Sequence, residues 1–213
     1  ELNRAAARLA REAAPEGRFV AGSVGPTGKV LKPQGPSTEE EFEAAFAEQV
    51  RGLEAGGADI LLVETQYDLR EALAAVRAAR RVSKLPVFVT MTFNARPRGF
   101  FTLMGDTPAR SAAELERAGA SAFGANCTLA SDQMAACVRA WREATALPLL
   151  AQANAGQPVT EADGRISYTQ SLEDYVRHVP DIVRAGAALV GGCCGTTPSF
   201  TRAMARIIQE ERP

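Results

Sequence analysis

Histidine occurs once in the 213 residues, at position 178. A zinc site built from several imidazoles is thereby excluded, and a Ser-His-Asp triad centred elsewhere in the chain has no base. His178 itself borders an apolar helical face made by Leu172, Tyr175, Val179 and Ile182, a poor setting for a general base. Excess charge of either sign is missing too: 24 basic side chains stand against 25 acidic ones. Without a broad positive field, nucleic acid and membrane surfaces are set aside as partners. No apolar run reaches the roughly 18 residues of a bilayer span, and Glu1 to Glu12 lack the basic-then-apolar pattern of a signal peptide, so the expected compartment is cytoplasmic. Four cysteines are too few for a disulfide scaffold. Two of them are adjacent, which directs attention to metal or thiol chemistry.

What is present is core material: 46% of the residues are hydrophobic, enough for one sizeable domain expected to span residues 1–213. Continuously apolar β-rich runs start at Phe19, Asp59, Pro86, Ser121, Pro148 and Ala187, and an amphipathic segment follows each. Unalternating runs of this kind predict parallel strands covered on both faces. Capping boxes are expected at Thr38/Glu41 and Asp68/Glu71, a cap before a first-turn proline at Thr107-Pro108, and a break in the last long helical segment at Pro180. The spacing of the runs is about 34 residues, so eight units would fill about 270 residues, near the size of a (β/α)8 TIM barrel. Six parallel strands, opened by a helix with no strand before it, predict an α/β TIM-barrel type fold lacking its first two βα units. An open doubly wound sheet is the competing architecture.

Cys127 ends the fourth run, and Cys193 and Cys194 follow the sixth, so all three belong at the carboxyl edge where such folds build their sites. Consecutive residues of a strand point to opposite faces. The Gly191-Gly192 pair is expected to relax that constraint and let two neighbouring thiols converge. Three thiolates with a vacant fourth position make a catalytic zinc site, whereas structural sites are closed by four ligands. The competing reading, small buried cysteines or a redox pair, is disfavoured by the shared location. Cys137 shares a helical face with Met134, Val138 and Trp141 and reads as a packing residue. Glu64 closes an apolar strand, where its carboxylate either holds a substrate ammonium or is simply exposed. Asn154, just past the fifth strand, serves either substrate, as a weak oxygen ligand to the metal, or as a turn residue. Gly22 to Lys29 has Ser23 where a phosphate loop needs glycine, and Val30 follows where it needs Ser or Thr, so the segment is rejected as one.

The segments Gly-Ala-Asn-Cys127 and Gly191-Gly-Cys-Cys-Gly-Thr-Thr-Pro198 resemble the homocysteine S-methyltransferase family, especially the homocysteine-binding barrel of cobalamin-dependent methionine synthase. Phe19 to Thr27, Gly56 to Thr65 and Asn154 to Gly156 resemble family segments in the same order. The resemblance implies Zn2+ on Cys127, Cys193 and Cys194, with Glu64 on the amino acid's ammonium and Asn154 near the metal. It implies a zinc-dependent S-methyltransferase that makes methionine from homocysteine. The methyl donor is left open among methylcobalamin on a partner domain or corrinoid protein, S-methylmethionine and a betaine-like onium. Two departures stand out. The family's Asp-Gly-Ala-Met-Gly-Thr-like first strand has no counterpart, and Gln152-Ala153 replaces a His-Pro common in methionine synthases. Corrinoid-linked transfer to another acceptor and a non-catalytic zinc-binding remnant are the alternatives. A barrel lacking two strands also predicts a homo-oligomer, or a longer protein, that supplies them.

Overall fold

A computed structural model describes residues 1–210 of the chain. In order, the elements are α1 (Leu2–Ala13), β1 (Ala21–Val24), α2 (Glu39–Ala55), β2 (Ile60–Gln66), α3 (Leu69–Val82) and β3 (Val87–Met91). They continue with β4 (Asn94–Arg96), β5 (Gly99–Phe101), α4 (Pro108–Ala118), β6 (Ala122–Ala130), α5 (Ser131–Arg142) and β7 (Leu149–Asn154). The last are β8 (Pro158–Thr160), β9 (Ile166–Tyr168), α6 (Leu172–Val176), α7 (Val179–Arg184), β10 (Ala187–Gly192) and α8 (Pro198–Glu210).

Six strands form one parallel sheet in the order β1-β2-β3-β6-β7-β10. That order follows the chain without reversal. A doubly wound sheet needs a point where strand order turns back, and here there is none, so the winding is that of a TIM-type barrel. Among the described residues β1 pairs with β2 alone and β10 with β7 alone, leaving two edges.

The predicted helix signals are largely realised. Thr38 Oγ1 accepts the Glu41 N–H at 3.3 Å while the Glu41 carboxylate takes the Thr38 N–H at 2.9 Å, closing a capping box on α2. The Thr107 hydroxyl caps α4 ahead of Pro108, and the expected break near Pro180 separates α6 from α7. The second capping box does not form. Asp68 accepts the Arg70 N–H at 2.8 Å, but Glu71 turns away to bind Thr27, because a distant loop offers it two donors at once.

Phe123 of β6 faces the helices, its ring 5.0 Å from that of Trp141 on α5, and the Phe93 ring lies 5.7 Å from the same indole. Side chains alternate along a strand, so Ala125 shares that buried face while Gly124 and Asn126 face the opposite, inner side. Cys137 is buried in the same helix-facing core, as its helical face predicts, and burial pushes its thiol up to about 12. Two small hairpins, β4–β5 and β8–β9, rise from the carboxyl ends of β3 and β7. Three-residue strands leave too little periodicity to be read from sequence.

Candidate metal centre

The three predicted cysteines converge. Cys127 Sγ lies 3.8 Å from Cys194 Sγ, Cys193 Sγ lies 4.0 Å from Cys194 Sγ, and all three sulfurs fall within 4.8 Å of one another. A tetrahedral zinc with Zn–S bonds of about 2.3 Å places its sulfurs about 3.8 Å apart. The trio therefore fits such an ion closely, and it is an all-thiolate donor set suited to a soft or borderline metal. Cys194 is exposed and the other two are partly buried, so the open side faces solvent.

The backbone places each sulfur differently from the sequence-based expectation. Cys127 lies within β6 and not at its end; it and Thr128 carry φ of 61° and 45°, left-handed values that non-glycine residues avoid. The pairing of β6 with β7 shifts register between Asn126 and Ala130, and this bulge re-aims Cys127. Thr128 is pinned on both sides, its hydroxyl donating to the Phe93 carbonyl at 2.6 Å and its carbonyl accepting from Gln157 Nε2 at 2.8 Å.

Gly191 and Gly192 remain inside β10, and the chain leaves strand geometry at Cys193. Gly192 is required for room, since a Cβ there would collide with Thr196. The left-handed turn falls on Gly195, φ 80°, under the ring of Tyr168. The loop is stitched to the end of β7. The Cys193 N–H donates to the Ala153 carbonyl at 2.8 Å, and the Ala155 N–H donates to the Cys194 carbonyl at 2.9 Å. Tyr175 donates its hydroxyl to the carbonyls of Ala153 (3.3 Å) and Gly191 (3.2 Å), tying β7 to β10 from below.

Asn154 is buried, and its Oδ1 accepts the Cys194 N–H at 3.1 Å. It braces the loop and its side chain also borders Cys127. Glu64 is partly buried on β2 and accepts the Ser23 hydroxyl at 2.5 Å. Sequence reasoning gave no role to Ser23, although its position at the end of the neighbouring strand was the available signal.

Three sulfurs this close cannot all carry charge without a cation. Contact with the Cys193 thiol pulls Cys127 down to about 5, against the opposing effect of burial. Cys193 is pushed up because it is the donor to Cys127, with burial and the neighbouring thiolates adding to the effect. Within this pair Cys127 is thus the readier thiolate and Cys193 the thiol that donates to it, and a metal ion bound there would displace the thiol proton.

A model of the homocysteine S-methyltransferase family matches residues 1–208. The chain belongs to that family. Among solved structures it is similar to the homocysteine methyltransferase MmuM from Escherichia coli. The apo form matches at 27% identity and a TM-score of 0.72, over 95% of this chain and 67% of that one. The metallated form matches at 27% identity and a TM-score of 0.70, over 95% of this chain and 66% of that one. The chain thus spans about two thirds of the length of MmuM. The carboxyl transferase domain of Rhizobium etli pyruvate carboxylase matches at 17% identity and a TM-score of 0.63, over 98% of this chain and 34% of that one, a likeness of fold alone. In this homocysteine S-methyltransferase family member the sheet is that of a TIM-barrel-like fold, and the cysteine trio lies at its carboxyl edge.

Proposed function

We propose that this chain binds zinc through Cys127, Cys193 and Cys194 and presents homocysteine as a thiolate to a methyl donor, giving methionine. The observation that carries this reading is the convergence of the three sulfurs from two remote segments, with Cys194 exposed. Zinc, when bound, supplies the positive charge that holds an incoming thiol as a thiolate at neutral pH. The residues do the rest. Glu64, held by Ser23, offers a carboxylate to the substrate's ammonium, and Asn154 keeps the Cys194 amide in place.

In the transfer, the homocysteine thiol gives its proton to solvent and its sulfur attacks the methyl carbon. The new S–C bond forms as the bond from carbon to the donor atom breaks, and the donor keeps that electron pair. No carbon acid is deprotonated, so no side-chain base is needed at the reacting carbon, in keeping with the single histidine. The donor reaches the strand-end face either as a free onium or as methylcobalamin carried on a partner protein or domain.

The test is zinc content and methyl transfer to homocysteine, measured on the chain and on Cys194→Ser. The chain is expected to hold one zinc. The variant is expected to lose metal affinity beyond the roughly 10–100-fold that an outer-shell contact costs, and to lose transfer with it. Undiminished zinc in the variant, or no methylation of homocysteine from any of these donors, contradicts the proposal.

A further inference from the structure

Asn126 has no part in the chemistry above, yet from β6 its side chain reaches the carboxyl ends of two other strands, β2 and β10. It is buried at 1% exposure on the inner face of β6. Its Oδ1 accepts the Thr65 N–H at 3.0 Å, and its Nδ2 donates to Thr65 Oγ1 at 2.8 Å and to Cys193 Sγ at 3.7 Å. The orientation of this amide is fixed by chemistry. A backbone N–H can only donate, so the oxygen must face Thr65 and the two Nδ2 protons are left for the hydroxyl and the sulfur.

Strain marks the same place. Thr65 sits at φ 63°, and β2 shifts register against β3 between Val63 and Gln66. Cys127, the next residue after Asn126, is at φ 61°. Non-glycine residues in this region are strained and persist only where surrounding structure determines them. The Asn126 amide is that structure. It accepts the N–H that the twisted Thr65 turns out of the sheet, and it stands between the strand that carries Glu64 and the sulfur of Cys193.

We propose that Asn126 is a positioning residue that sets the donor strength of the Cys193 sulfur and holds the Glu64 strand end in register with the metal centre. This rests on the metal-binding reading of the cysteine trio. An N–H donated to a metal-bound thiolate withdraws electron density from it, and outer-shell contacts of this kind orient ligands and tune affinity. By moderating the charge of a three-thiolate set, Asn126 leaves the ion acidic enough to capture a fourth sulfur. Its bonds to Thr65 keep the amine-binding carboxylate at a fixed reach from that sulfur.

The experiment loads the chain and the variants Asn126→Asp and Asn126→Ala with cobalt(II), and reads the sulfur-to-cobalt charge-transfer band and the affinity by chelator competition. Asp keeps the shape and the acceptor for the Thr65 N–H but loses the donor to Cys193. In folded variants the band is expected to move to lower energy and affinity to fall about 10–100-fold. An unmoved band overturns the proposal, including the case where stability alone falls, which marks a purely structural role. A wild-type protein with no such band overturns the metal reading and this inference with it, whereas a wild-type band that the variants share overturns this inference alone. If neither variant folds, NMR of the cadmium-loaded wild type decides. Scalar coupling between the metal and the Asn126 side-chain protons is expected, and its absence overturns the proposal.

Discussion

Glu71 shows how a residue can be conspicuous in sequence and still be misread. It is buried at 2% exposure in the first turn of α3, and its Oε1 accepts both the Thr27 N–H (2.6 Å) and the Thr27 hydroxyl (2.8 Å). It anchors the loop that leaves β1. Burial raises its pKa above the usual value of 4.5, with the Thr27 donors opposing and Asp68 reinforcing the rise. A carboxyl whose folded pKa lies above its unfolded one contributes stability that is fully present below the unfolded pKa and is lost as pH rises through the folded value. Glu71→Gln keeps an acceptor for Thr27 and removes the titration. Urea unfolding at a series of pH values is therefore expected to show the wild type losing stability relative to the variant as pH climbs from below 4.5 through that raised range. A difference independent of pH contradicts this account. Cys127, Cys193, Cys194, Glu64 and Asn154 could be picked out from the sequence because each stands out by type at or near the end of an apolar run. Asn126 and Ser23 stand out less, because their importance lies in partners 67 and 41 residues away along the chain, and for Ser23 the end of β1 was the one signal.

At the level of elements, the contact between β6 and β7 fixes the distance between the Cys127 segment and the loop that β7 supports. Gly124 lies at its centre, in register with Leu150, and any Cβ at that position would collide with the Leu150 carbonyl. A glycine inside a strand signals close backbone approach, and the Phe-Gly-Ala-Asn-Cys sequence carries that signal. Gly124→Ala is expected to destabilise by about 3 kcal/mol, the upper end for overpacking, read as a lower urea midpoint at unchanged slope. A midpoint equal to wild type contradicts the close approach. The sheet strands and most helices were legible because long apolar runs and caps are local signals. The β4–β5 and β8–β9 hairpins were not, and neither were the bulges of β2 and β6, which depend on what lies across the sheet.

For the molecule as a whole, the strand order decides the architecture. Six parallel strands wound in chain order bring Cys127 and the Cys193-Cys194 pair, separated by more than 60 residues, to one edge and to one point. The sequence carries the alternation of strand and helix but not the order of strands in the sheet, so the barrel type is favoured over a doubly wound sheet only through the placement of the cysteines, and the strand order decides it. Ion pairs play a small part. Glu39 and Glu43 on α2 meet Arg70, Arg77 and Arg81 on α3 in an exposed ladder, and such pairs contribute about 0–1 kcal/mol each.

X-ray absorption at the zinc edge, recorded before and after homocysteine is added, tests the central claim most directly. The account predicts three protein sulfurs at about 2.3 Å in the free protein, rising to four when the substrate binds. Fewer than three sulfurs at the start, or a shell unchanged by homocysteine, would contradict it.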